Sequence, residues 1–121
     1  MGVIVWIATG LLSVVFVLTG AIKLVRTSEQ LAAWGLGWTE DFAPVAVKLI
    51  GVAEILGVAG LIIGGLVPVL AWAAPAAAIG LALLMIGAVI THARRREWKN
   101  IVLNVALLAL AVFVAVARLV G

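Results

Sequence analysis

One acid stands in the middle of the apolar stretch Lys48-Leu-Ile-Gly-Val-Ala-Glu-Ile-Leu-Gly-Val-Ala-Gly-Leu-Ile-Ile-Gly64, and it is Glu54. A run of this kind reads as a helix that crosses a lipid bilayer. An ionisable group at that depth costs a few kcal/mol on insertion scales. It therefore faces a bundle interior, finds a proton or a donor, and by default marks a functional site. Two chemistries suit it. Glu54 could carry a proton, or it could accept a hydrogen bond from a buried polar headgroup such as a quinone or a hydroxylated lipid. A purely structural carboxyl, bonded to a hydroxyl such as that of Ser13, is the alternative.

Lys23, His92 and Asn104 are the groups that could join it. Lys23 and His92 close apolar runs on the same side, and imidazole is the side chain that exchanges a proton near neutral pH. With Lys48 and Asn104 they could line a pocket floored by Glu54. Lys48 is expected to snorkel instead, and Asn104 to bond across helices. Gly20, Gly51 and Gly57 serve the pocket or the packing, because small residues let membrane helices approach closely. Of the tryptophans, Trp72 is the candidate for pocket lining, while Trp6, Trp34, Trp38 and Trp98 suit an interfacial belt. Arg94, Arg95, Arg96 and Lys99 read as an anchor on anionic lipid headgroups.

These residues need elements to hold them. The chain has 121 residues, 67% of them hydrophobic, with a mean hydropathy of +1.39. A soluble domain is nearer half apolar. The excess lies in long uncharged runs, and the length suits four spans of ~20 residues each. Lys and Arg number 8 against 5 acids, a net charge of +3. The basic residues flank the apolar runs and no nucleic-acid motif accompanies them, so no nucleic-acid partner is expected. There is no cysteine and one histidine, so neither a metal site nor a cofactor held by this chain alone is expected. No nucleophile–base pair or cofactor motif appears, so the chain is not expected to be an enzyme by itself.

The spans are read as residues 3–24, 44–64, 67–91 and 101–120, within a single transmembrane domain covering 1–121. The first run, Met1 to Ile22, lacks a basic start and is expected to stay as a span rather than act as a secretory signal. Thr27 or Ser28 caps a short interfacial helix that Gly35 and Gly37 end. Pro44 opens span two. Counting from it at roughly 1.5 Å per residue, Glu54 lies about 15 Å along, half the ~30 Å hydrocarbon thickness. Residues 55–93 carry no Asp, Glu, Lys or Arg, too long a run for one span, and Gly64 to Pro68 divide it. Pro75 is expected to kink span three. The class is therefore all-α, an integral membrane four-helix bundle. Lys23, Arg26, Lys48, Arg94, Arg95, Arg96 and Lys99 fall at one end and Arg118 alone at the other. The positive-inside rule then places both polar loops in the cytoplasm and both termini outside the cell membrane. Small-residue flanks leave room for a homo-oligomer.

Gly20-Ala-Ile-Lys23, Gly51-Val-Ala-Glu54-Ile-Leu-Gly57 and Gly87-Ala-Val-Ile-Thr-His92, in this order and spacing, resemble the DoxX-like family of small four-helix membrane proteins. The resemblance implies a bundle with a link to respiration. Named members are similar to membrane subunits of a thiosulfate:quinone oxidoreductase, and others associate with redox enzymes. It also implies Lys23 and His92 as functional positions. The leading expectation is thus a membrane component of a quinone-linked redox system, a subunit of an oxidoreductase complex that binds a small amphipathic ligand or a redox partner protein around Glu54. A proton-coupled transporter and a scaffold or assembly chaperone are the competing readings.

Overall fold

The computed structural model describes residues 2–120; Met1, where the first apolar run begins, lies outside the described residues. Five helices and two single-turn connectors make up the chain: α1 (Gly2–Val25), α2 (Ser28–Ala33), a 3-10 turn (Gly37–Asp41), α3 (Pro44–Leu66), a second 3-10 turn (Pro68–Leu70), α4 (Ala73–Arg94) and α5 (Trp98–Val120). α1, α3, α4 and α5 are 24, 23, 22 and 23 residues long, and all four are long and apolar enough to cross a bilayer. The protein is a multi-pass membrane protein, an all-α bundle with a short helix between its first two spans.

Packing follows chain order around the bundle. α1 lies on α3, α3 on α4, α4 on α5, and α5 closes back on α1. The core is a narrow seam in which Leu12, Phe16, Leu61, Leu81, Ala111 and Val114 are almost wholly buried. Leucine, isoleucine and valine are just as common on the outside, for example Ile7, Leu18, Leu56, Leu83 and Val116. Lipid tails are as apolar as the seam, so contact between helices depends on close fit and on polar bonds. Glycine supplies the fit. A Cβ on Gly20 would lie 2.9 Å from the Gly51 carbonyl oxygen, and one on Gly51 would lie 2.8 Å from that of Gly20. The α1 and α3 backbones therefore touch at this crossing.

The short helix forms as its sequence dictates. Thr27 Oγ1 accepts from the Gln30 N–H at 3.2 Å, and Gln30 Oε1 accepts from the Thr27 N–H at 3.0 Å, a reciprocal capping box. Gly35 ends it at φ 94°, while Gly35 and Leu36 donate to the Ala32 and Leu31 carbonyls. This reversal turns the chain back over the end of the bundle.

Two boundaries correct the sequence reading. α4 starts at Ala73, not Val67, because Pro68–Leu70 forms a separate turn. Pro75 is consequently the third residue of α4, where no N–H has a helical partner to lose. It opens the helix and does not kink it. α5 starts at Trp98, three residues before the expected span.

Candidate functional site

The α1–α3 contact sets the site. Thr19 and Lys23 lie one turn apart on α1 and flank Gly20. Glu54 lies one turn beyond Gly51 on α3. With the backbones in contact at the glycines, these side chains need little reach. Glu54 is 1% exposed. Lys23 Nζ donates to Glu54 Oε1 at 2.5 Å, and Thr19 Oγ1 donates to Oε2 at 2.5 Å. Each carboxyl oxygen thus has its own donor, as a charge taken out of water requires. The expected hydroxyl partner, Ser13, is not the one used: Thr19 takes its place, and Ser13 Oγ is buried without a partner among the described residues.

The second part of the site comes from the turns. Between α4 and α5, Arg96 adopts φ 57°, and the Glu97 N–H donates to the His92 carbonyl at 2.9 Å. This folds Glu97 back over α4, so that its Oε1 lies 2.7 Å from His92 Nδ1. Arg95 donates to Asp41 Oδ2 at 2.8 Å and its Nε lies 3.6 Å from Glu97 Oε1. The hydrogen bond to Asp41 raises the Arg95 guanidinium above its ordinary value. These contacts tie the Gly37–Asp41 turn to the α4–α5 turn.

Between the two groups stands Trp38. Expected in the headgroup belt, it is instead buried, since Gly35 and the 3-10 turn fold it under the loop. Lys23 Nζ lies 5.4 Å from its ring centroid, and the His92 ring meets its edge at 6.4 Å. Phe42 packs edge-on at 5.7 Å.

These side chains wall a cavity of about 370 Å³ that all four long helices line. Lys23, Glu54, His92 and Asn104 are on its surface, as are Thr19 and Trp38. Thr91 and Asn100 add polar groups, and the rest is apolar, chiefly Phe16, Leu84, Met85 and Leu107. Asn104 contributes a buried amide nitrogen with no hydrogen-bond partner among the described residues. An unmade bond of that kind costs about 1–3 kcal/mol. The wall can therefore offer a donor to a polar group and apolar, partly aromatic surface to the rest of a ligand.

Other expected residues lie elsewhere. Trp72 is 67% exposed and does not line the cavity, because the Pro68–Leu70 turn puts it at the opposite end of the bundle. Gly57 packs on the Leu81 side chain, and Gly20 and Gly51 on each other. Lys48 does not snorkel freely; its Nζ donates to the Leu24 carbonyl at 2.9 Å and satisfies the end of α1. Arg94, Arg96 and Lys99 are exposed. Arg95, read with them as a headgroup anchor, is held by Asp41 and Glu97. Thr19, Trp38 and Glu97 are the site residues that the sequence reading did not pick. Only Thr19 left a signal, its spacing of four from Lys23.

No functionally curated protein and no solved structure matches the chain. A sequence profile of the DoxX-like family matches residues 7–114. That match takes in α3 and α4, most of α1 and α5, and Lys23, Glu54, His92 and Asn104, and on it the chain belongs to the DoxX-like family.

Proposed function

We propose that this protein binds a neutral amphipathic ligand of the quinone class in the four-helix cavity and serves as the membrane component of a quinone-linked redox system. The supporting observation is the character of the cavity's polar end. Lys23 and Glu54 form one pair and His92 contacts Glu97, so an uncharged ligand suits the site better than an ion. Asn104 Nδ2 is a buried donor lacking an acceptor among the described residues, and a quinone carbonyl is an acceptor without a charge. Trp38 and Phe42 add aromatic surface to the wall, and the apolar lining suits a tail. The redox half of the reading rests on the family. A proton-coupled transporter needs its membrane acid to exchange a proton during turnover. Here Lys23 and Thr19 already occupy both Glu54 oxygens, which favours binding over transport. The polar loops, with most of the basic residues, face the cytoplasm in this reading.

Trp38 is the one tryptophan on the cavity wall and reports occupancy. Titrating purified protein with a short-tailed ubiquinone analogue is expected to quench tryptophan emission saturably. Asn104→Leu, which removes the orphan donor, is expected to weaken binding by about tenfold, the equivalent of ~1.4 kcal/mol. Quenching that never saturates, or an Asn104→Leu protein with unchanged affinity, is incompatible with this binding mode.

A further inference from the structure

The cavity reading leaves open how a ligand arrives, and the α3–α4 pair carries an answer. These helices run antiparallel and are closed along one half by glycine. A Cβ on Gly57 would meet Leu81, one on Gly60 would meet Ala77, and one on Gly64 would meet Ala74. The same register continues toward the polar end, where Glu54 falls opposite Leu84 and Ile50 opposite Ala88. There all four residues line the cavity. α3 and α4 are thus in close contact at Gly57–Gly64 and border the cavity at Ile50–Thr91. On the far side of α3 the Gly20–Gly51 contact seals the bundle against α1.

The cavity-bordering half of this pair reaches the lipid-facing surface. Leu83 and Gly87 line the cavity and are exposed on α4, Leu83 at 63%. A Cβ on Gly87 would meet nothing within 4 Å. The end of the cavity toward the polar loops is covered differently. Trp38 and His92 are buried there, and the Asp41–Arg95–Glu97–His92 contacts brace the cover. We infer that the cavity is loaded sideways from the bilayer, through a portal between α3 and α4 at Leu83 and Gly87, by a lipid-dissolved ligand whose apolar tail lies in the portal while its polar head reaches Asn104. This inference rests on the proposed quinone-class site and specifies its ligand as one that partitions into membrane.

Gly87 and Gly80 make the test clean. Both are exposed on α4 with open space where a Cβ would go, but only Gly87 lines the cavity. The protein would be reconstituted in lipid nanodiscs and mixed by stopped flow with vesicles carrying an isoprenoid-tailed quinone, with Trp38 quenching as the readout. Gly87→Phe is expected to slow quenching at least ~10-fold, since access then waits on helix motion, and Leu83→Phe to slow it in the same direction. Gly80→Phe is expected to leave the rate unchanged. So is Val102→Phe, which adds bulk on an exposed residue of α5 that does not line the cavity. If wild type quenches normally and Gly87→Phe and Leu83→Phe keep its rate, the portal is wrong and the cavity reading survives. If Gly80→Phe or Val102→Phe slows binding as much as Gly87→Phe, the effect is not that of the portal and the inference is overturned. If wild type shows no saturable quenching, the cavity reading itself fails and the portal with it.

Discussion

Glu54→Leu is expected to lower the unfolding free energy by about 3–5 kcal/mol, the usual cost of leaving one member of a buried pair without its partner. The orphan is the Lys23 ammonium, itself only 7% exposed. Trp38 faces it, but a ring at 5.4 Å replaces little of a carboxylate at 2.5 Å. Lys23→Met is expected to destabilise as well, with Thr19 left as the sole donor to Glu54. The Lys23→Met, Glu54→Leu double variant should return to within about 1–2 kcal/mol of wild type, because well-packed apolar residues commonly match a buried ion pair. The measurement is unfolding in detergent followed by circular dichroism, arranged as a double-mutant cycle. Additive losses in the two single variants would show that the contact does not couple them. The double variant also separates the functional readings. A folded protein that no longer binds quinone makes the pair part of the ligand site; one that binds normally makes the pair a structural clasp.

The strength of that coupling was only half legible in the sequence. A charge inside an apolar run is a local signal, so Glu54 stood out without any knowledge of the fold, and Lys23 and His92 stood out at the ends of their runs. Which hydroxyl meets Glu54 is a different kind of fact. Ser13 and Thr19 are equally plausible on α1 alone, and the choice is fixed by where α1 crosses α3, at Gly20 and Gly51. Trp38 shows the same limit. Gly35 announces a turn, but the direction in which the chain leaves it depends on packing against the bundle end, so a tryptophan near a predicted interface was placed in the belt although it covers the cavity. Pro75 opens α4 where a kink is expected, because a proline kinks a chain only inside a helix and the Pro68–Leu70 turn moves the start of α4 up to it. Glu97 had no signal. The left-handed residue that folds it over His92 is Arg96, where a glycine would have advertised the turn.

Gly51→Ala is expected to cost about 1–3 kcal/mol, as overpacking does, although alanine is the better helix former by about 1 kcal/mol. The reason lies in what the new methyl would meet. At Gly51 it falls 2.8 Å from the Gly20 carbonyl oxygen and 3.0 Å from the Lys23 Cβ. A backbone oxygen cannot rotate away, so α1 and α3 must part. At Gly57 the obstacle is the buried Leu81 side chain, its Cδ2 and Cγ 2.7 and 2.8 Å away, which must shift as a whole within a packed core. At Gly10 there is open space. The expected order of stability is therefore Gly10→Ala at or above wild type, with Gly57→Ala and Gly51→Ala both below it, measured by the same unfolding assay. A Gly51→Ala protein as stable as Gly10→Ala would mean that the α1–α3 backbones are not in contact. The consequence for function follows from geometry. Lys23 reaches Glu54 because the crossing point lies one turn from both. Separating the helices lengthens that bond first, so Gly51→Ala should also shrink the Lys23–Glu54 coupling energy. A glycine without polar chemistry would then act on the site as a positioning residue.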